Sequence, residues 1–338
     1  MNIGMTYDLR SDYLARGYSL DETAEFDSLR TIEGIESALV AAGHAVERIG
    51  GIDALVERLS GGRRWDLVFN IAEGLHGFGR EAAIPALLEA WRIPCTFSDS
   101  LTLAVCLHKA TTKRLVRDAG IPTPDFRVVE RLGDVDGFSL EFPVFAKPVA
   151  EGTSKGVTGA SLVEDERALR RVCECLLLRH AQPVLVERYL PGREFTVGIL
   201  GSGGSARVLG VMEVVADGGG SGAVYSYAAK QEYEERVSYR LVSDREAMAS
   251  AELAVQAWAA LGCRDAGRVD VRLDARGVPM FIEANPLPGL NPDDSDLPII
   301  CRLAGISYSD LITGIVQLAL KRQGEAVEPM MAHAEAWR

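Results

Sequence analysis

The sequence predicts an α/β protein: an N-terminal domain on an open parallel sheet, followed by a body in which strands and helices are less regularly mixed. Three observations carry this. The first hundred or so residues alternate strand-like and helix-like apolar patterns, as open α/β sheets do. Residues 66–70 contain the continuous apolar run Leu67-Val68-Phe69, which suits a parallel strand covered on both faces. Beyond residue 190, strand patterns rich in β-formers dominate, beginning with Phe195-Thr196-Val197.

The elements follow in order. Residues 2–6 read as a short buried strand. Residues 24–42 carry helical apolar spacing and stop at Gly43, a suitable C-cap. Residues 81–91 form a helix ahead of Ile93-Pro94. A second block opens near Ser98 with a helix that holds Lys109 and Lys113 and ends at Ala119-Gly120-Ile121-Pro122. Strands at 126–129 and 143–147 lead to the Gly-rich turn 151–157, an amphipathic helix over 165–179 and a strand at 183–187. The third block holds strands at 194–200 and to about Val215, a flexible stretch Gly218-Gly219-Gly220-Ser221-Gly222, and a helix over 244–261. A hairpin around 268–286 and a helix over 306–321 complete it. The expected domains are 1–104, 105–190 and 191–322, with 323–338 as a loosely held tail.

Composition narrows the function. The 338 residues are 47% hydrophobic and 25% charged, an ordinary globular balance. The net charge of −12 argues against nucleic acid or an anionic membrane as the main partner. No apolar run approaches the length of a membrane span and the start lacks a signal-peptide pattern, so the expectation is a cytoplasmic protein. The six cysteines are scattered, and neither a zinc site nor a disulfide framework is read from them.

The hairpin carries the most chemistry. Arg268, Asp270 and Arg272 alternate onto one strand face, and Phe281, Glu283 and Asn285 share a face on the next. The turn Asp274-Ala275-Arg276-Gly277 has hairpin chemistry. Pairing Leu273 with Val278 sets Asp270 opposite Phe281, with Glu283 as its diagonal neighbour at roughly 7–8 Å. Two carboxylates and an amide oxygen suit Mg²⁺ shared with substrate phosphates. A solvated face, or an ion pair of Asp270 with Arg268 or Arg272, fits the same spacing.

Other segments offer complementary groups, each with a plain structural alternative. The turn 151–157 can present backbone N–H groups with Thr153, Ser154 and Lys155 to a phosphate, or simply connect two elements. Lys109, Lys147 and Lys230 can neutralise phosphate charge or lie solvated. Glu187, Arg188 (through its backbone), Leu190 and Glu194 can form a nucleobase and ribose edge, or the two acids can pair with Arg188 and Arg193. His76 sits where a sheet strand meets a helix, the ligand-binding edge of open α/β sheets. Asp293-Asp294-Ser295-Asp296 reads as a helix N-terminus with Asp294 or Ser295 as cap, able to offer N–H groups to a carboxylate.

In this order the segments resemble the D-alanine–D-alanine ligase family of the ATP-grasp superfamily, over roughly residues 60–322. The matching text includes His76-Gly77, Ala119-Gly120-Ile121-Pro122-Thr123-Pro124 and Phe145-Ala146-Lys147-Pro148 with Glu151-Gly152-Thr153-Ser154. It continues through Val186-Glu187-Arg188-Tyr189-Leu190, Gly192-Arg193-Glu194-Phe195, Gly267-Arg268-Val269-Asp270 and Glu283-Ala284-Asn285-Pro286-Leu287-Pro288-Gly289.

The resemblance implies an ATP-grasp fold and an ATP-dependent carboxylate–amine ligase that works through an acyl phosphate. It implies ATP and two magnesium ions, with manganese as an alternative, amino-acid or amino-acid-derived substrates, and a homodimer. It places Asp270, Glu283 and Asn285 on metal ligands. Lys109, Lys147 and Lys230 fall on phosphate contacts, Thr153 and Ser154 on the phosphate lid, Glu187, Arg188 and Leu190 on the adenine site, and Glu194 on the ribose. Arg268, the Gly289 N–H and Lys230 fall on catalytic groups. His76, Gln231, Asp294 and Ser295 are candidate substrate contacts.

Departures cluster at the substrate end. The family's first glycine-rich βα turn and its ammonium-binding glutamate are replaced by Tyr7-Asp8-Leu9-Arg10-Ser11-Asp12 and an insertion, leaving Glu25 or Asp27 as unassigned substitutes. Gln231 stands where an aromatic residue is usual, Thr153 replaces a serine, and Asp293, Asp294 and Asp296 are extra acids. A specialised amino-acid-derived substrate fits these departures. A phosphotransferase or a non-catalytic nucleotide-binding module would use the same nucleotide groups.

Overall fold

The computed structural model describes residues 1–216 and 237–335, so the Gly218–Gly222 stretch, Lys230 and Gln231 lie outside the described residues. Strands β1 (Asn2–Thr6), β2 (Ala45–Gly50) and β3 (Leu67–Asn70) form a parallel sheet in the order β2-β1-β3. Both faces are covered, as the apolar run implied. Leu67 and Phe69 join Ile3 and Met5 in one core, while Val68 joins Ile49, Leu55 and Leu88 in another.

Between β1 and β2 the chain departs from expectation. Helix α1 (Arg10–Ala15) occupies the insertion, and α2 (Leu29–Ala41) starts five residues later than its apolar spacing suggests. The stretch before it is held in turns. Arg10 donates to the carbonyls of Thr23 (3.1 Å) and Ala24 (2.8 Å), and the Asp27 N–H donates to the Asp8 carbonyl (3.0 Å). Ser28 then caps α2 by accepting from the Thr31 N–H, and Gly43 follows its end at φ +84°. Helices α3 (Ile52–Ser60) and α4 (Ala83–Ala90) complete this part.

Helices α5 (Ser100–Leu107) and α6 (Lys109–Asp118) lead to an antiparallel sheet of β4 (Phe126–Val129), β5 (Val144–Pro148), β6 (Leu162–Val163) and β7 (Val184–Arg188), ordered β4-β7-β5-β6. Helix α7 (Glu166–His180) packs on it, its first turn capped by Asp165 accepting from the Ala168 N–H at 2.7 Å. The third sheet, also antiparallel, holds β8 (Glu194–Leu200), β9 (Arg207–Ala216), β10 (Val237–Leu241), β11 (Ala266–Leu273) and β12 (Pro279–Asn285) in the order β10-β9-β8-β11-β12. Helix α8 (Arg245–Ala260) covers one face and buries Trp258 completely. Gly267 permits this: a Cβ there would lie 2.5 Å from the Trp258 ring.

Two expectations need correction. Helices α9 (Asp296–Leu303) and α10 (Tyr308–Glu335) follow, so the terminal helix runs on past Lys321, where its spacing in the sequence suggests an end. Near that point Arg322 pairs with the fully buried Asp265 (2.7 Å) and donates to the Cys95 carbonyl (3.2 Å), tying α10 to both ends of the fold. In the hairpin, Leu273 pairs with Pro279 instead of Val278, and a bulge lies between Asp270 and Val271. Asp274 fixes the turn by accepting from the N–H groups of Arg276 (2.8 Å) and Val278 (2.9 Å). The bulge inserts Ile282, so Glu283 stands directly opposite Asp270, and Phe281 turns into the core instead of sharing the Glu283 face.

Candidate active site

A cleft opens between the two antiparallel sheets. Strands β5 and β7 supply Lys147, Glu187 and Arg188, and β8, β11 and β12 supply Glu194, Arg268, Asp270, Arg272 and Glu283. Lys109, the first residue of α6, closes one end. Alternation along β11 puts its three charged residues on the cleft side while Val269 and Val271 are buried beneath.

The acids of the hairpin meet as a pair. Asp270 accepts from the Thr196 hydroxyl (2.9 Å) and from the Asn285 side-chain amide (3.2 Å), and Arg268 stands 3.6 Å away. Glu283 lies 3.4 Å from the Lys109 ammonium. Burial pushes the Asp270 carboxyl upward in pKa, reinforced by Glu283 and only partly opposed by Arg268. Burial acts on Glu283 in the same direction, but Lys109, Lys147 and Arg268 outweigh it and hold that carboxyl low. Among the described residues no group of three or more His, Cys, Asp or Glu side chains forms a metal site. The available set is two hard carboxylates and one amide, which suits a magnesium ion completed by phosphate oxygens and water.

Glu187 plays a different part from a pairing with Arg188. Its buried carboxylate lies 2.9 Å from both Lys147 and Lys113. Burial opposes charge on Lys147, yet Glu187 and Glu283 more than compensate and raise its pKa. Lys113 is pulled down to about 8 by burial, partly offset by Glu187. Glu194 pairs with Arg272 at 3.1 Å, and Arg193 with Glu213 at 2.7 Å, so neither acid of this segment uses the neighbour expected from sequence. Leu190 is buried at the cleft wall, and among the described residues its N–H donates to none; the Arg188 N–H donates to the Asp125 carbonyl (2.9 Å).

The Gly-rich turn overhangs the same cleft. Thr153 and Ser154 adopt left-handed φ of 49° and 57°, uncommon for residues with side chains. Of the turn's N–H groups, Gly152 donates to Glu25, Lys155 to the Gly152 carbonyl and Val157 to the Ser154 carbonyl, while those of Thr153, Ser154 and Gly156 donate to no described residue. Lys155 pairs with Glu151 at 3.0 Å, and Gln182 donates to Glu151 (2.5 Å), which anchors the turn to the end of α7. The Glu25 carboxylate accepts from the Gly152 N–H and pairs with Arg80 (2.9 Å), which donates to the Ala150 carbonyl (2.9 Å).

A second cavity, about 730 Å³, adjoins the cleft and shares Lys109, Thr153, Arg268, Glu283 and Asp296 with it. Gly289, Asp294, Ser295 and Asn285 also line it. Ser295 holds the N-cap position of α9, but its hydroxyl accepts from the Asn291 N–H (3.0 Å) instead of capping the helix. Among the described residues the Gly289 N–H donates to none. His76 lies exposed and outside the lining of both cavities. Sequence reasoning passed over Lys113, Thr196, Glu73, Glu81 and Asp296 as site residues. Thr196 could have been found by pairing β8 with β11, which sets it beside Asp270, and Asp296, which the sequence offers as a helix-start residue and one of three extra acids at the substrate end, stands 3.3 Å from Arg268.

Comparison with known proteins follows this geometry. The family described as "D-ala D-ala ligase C-terminus" matches residues 115–317. The chain is 34% identical to a D-alanine–D-alanine ligase of Bordetella petrii over 307 residues, covering 88% of this chain and 89% of that one. It is 32% identical to the uncharacterised protein y4sG of Sinorhizobium fredii over 303 residues, covering 87% and 88%. Among solved structures, a D-alanine–D-alanine ligase from Bacillus anthracis complexed with ATP superposes with a TM-score of 0.73 at 22% identity, over 96% of this chain and 99% of that one. The VanG D-Ala:D-Ser ligase from Enterococcus faecalis gives 0.72 at 21% identity, over 94% and 99%. At such identities the structures speak to the fold.

Proposed function

The chain belongs to the D-alanine–D-alanine ligase family, and from that premise we propose how its cleft performs ATP-dependent carbon–nitrogen ligation. The enzyme is a ligase of this type, using ATP and acting on amino-acid substrates. The finer assignment is an acyl-phosphate route. A substrate carboxylate oxygen attacks the γ-phosphorus of ATP, ADP leaves, and a second substrate's amine displaces phosphate from the acyl carbon.

Each step has residues suited to it. The Leu190 N–H and the Glu194 carboxylate receive adenine and ribose. Lys109, Lys147 and the N–H groups around Thr153 and Ser154 hold the phosphates, so the chain contributes mainly position and charge. Asp270, Glu283 and Asn285 would hold magnesium, which when bound supplies charge neutralisation at the transferred phosphoryl group. Arg268 and the Gly289 N–H stabilise the oxyanion that forms when the amine adds. The turn at 151–157 excludes water from the acyl phosphate. Lys230 is assigned to the phosphates by resemblance alone. The same resemblance supports a working homodimer, and the order of elements supports domain boundaries near 104 and 190, with α10 running through 322.

The observation that carries this reading is the direct pairing of Asp270 with Glu283 in a cleft that also holds Lys109 and Lys147. A phosphotransferase would use the same cleft, but would not require Arg268 at the junction with a second, substrate-sized cavity. Incubation with ATP, Mg²⁺ and pairs of amino acids should give ADP, phosphate and a product whose mass equals the two acids less water. A phosphorylated acid accumulating without amide would contradict the assignment.

A further inference from the structure

The adjoining cavity has a charge balance that two simple zwitterionic amino acids do not explain. Among the described residues, nine carboxylates and four cationic side chains line it. The cations are engaged. Arg10 and Arg302 donate to backbone carbonyls, Lys109 serves Glu151 and Glu283, and Arg268 pairs with Asp296. Several of the acids are also matched: Glu25 by Arg80, Glu151 by Lys155 and Asp293 by Arg30.

Glu73 and Glu81 differ. They lie near the two ends of the loop between β3 and α4, brought together where Gly74 packs on the Arg80 backbone, and line this cavity; among the described residues neither carboxylate accepts a hydrogen bond or forms an ion pair. Arg80, itself paired with Glu25, favours charge on both, against Glu25 beside both and, for Glu73, Glu81 and Asp27 as well. Glu73 also acts on Arg268 and Glu81 is acted on by Lys109, which puts this acidic wall beside the reaction centre. Burial raises both carboxyls, and their mutual repulsion adds to the rise for Glu73. A cation bound in the cavity would add to the partial compensation that Arg80 gives these half-buried carboxylates, neither of which has an ion-pair partner of its own among the described residues.

We infer that one substrate of this ligase carries a second ammonium group, and that Glu73 and Glu81 hold it. The substrate class is therefore a diamine or a diamino acid, with the amine that is not acylated seated on these two carboxylates. The inference rests on the ligase reading of the cleft.

Isosteric pairs test it. Ornithine against norleucine, and 2,3-diaminopropionate against 2-aminobutyrate, differ only by ammonium in place of methyl, and each is offered as both enantiomers. Binding to the full-length enzyme is measured by calorimetry with Mg²⁺ and a non-hydrolysable ATP analogue, and amide formation is measured in parallel with ATP. The expected result is at least tenfold tighter binding of one diamino member than of its neutral isostere. In the E73Q/E81Q double variant that ratio should fall toward one, with the analogue's affinity reporting that the nucleotide site is still folded. Equal or tighter binding of the neutral members, or a preference that survives the double variant, overturns the inference. A diamino preference lost in the variant without any amide product would uphold the acidic subsite and overturn the ligase reading alone.

Discussion

At the scale of residues, the most constrained group is the Glu187 carboxylate between Lys113 and Lys147, each at 2.9 Å and all three buried. Removing one partner of such a cluster leaves charge in a dry site. Substitution E187Q should therefore cost about 3–5 kcal/mol in urea unfolding, and weaken ATP binding through the loosened Lys147. The pH dependence has a definite sign. Burial raises the Glu187 pKa, but the two lysines outweigh it and lower the value from 4.5 to about 2. Its contribution is thus fully present above about pH 4.5 and is lost as pH falls through about 2. The stability gap between wild type and E187Q should narrow across that window; a gap independent of pH would contradict the pairing. Sequence patterns brought out Glu187 as a nucleobase-edge residue and Lys147 as a phosphate contact, with Arg188 as the alternative partner for Glu187, and did not bring the two together. Lys113 is four residues from Lys109 on one helix, and only the packing of α6 against β7 and β12 distinguishes it from a solvated lysine.

At the scale of elements, the Gly-rich turn and the hairpin bulge decide the geometry. Gly156 has φ +78°, and a Cβ there would lie 2.5 Å from the Pro148 ring and 2.8 Å from His180 Nε2. Left-handed backbone costs a residue with a side chain about 1–2 kcal/mol, so G156A should displace the turn. We expect a loss of about tenfold in kcat/KM for ATP, the kinetic equivalent of roughly 1.4 kcal/mol, with a small change in Tm because surface turns open locally below the global unfolding free energy. Wild-type ATP kinetics in G156A would contradict a role for the turn over the phosphates. The turn was legible as glycines between strand and helix. The bulge was not, because the alternation of Phe281, Glu283 and Asn285 reads the same with or without Ile282 inserted. Its core partner Val271 and the cleft partner Asp270 fix the answer, and both are contacts across the hairpin.

At the scale of the whole molecule, three sheets converge on the junction of two cavities, and the N-terminal insertion reaches in from one side. That insertion carries Glu25 to the Gly152 N–H and Asp27 to the cavity wall, where sequence alone offered both acids without a place. The positions of strands and helices along the chain were legible because apolar periodicity is local, whereas the order of strands within the sheets is set by contacts between distant segments. The substrate cavity was legible in part: Asp294, Ser295, Glu25 and Asp27 were singled out and line it, while Glu73 and Glu81 were not, since they join the others only through tertiary folding of separate segments. The central claim is that this junction passes a phosphoryl group onto a carboxylate before the amine arrives. The most direct test labels both carboxylate oxygens of the acylated substrate with ¹⁸O and follows the label during turnover with ATP and Mg²⁺. The acyl-phosphate route predicts one ¹⁸O in the inorganic phosphate for every amide formed, and amide formation with unlabelled phosphate would contradict it.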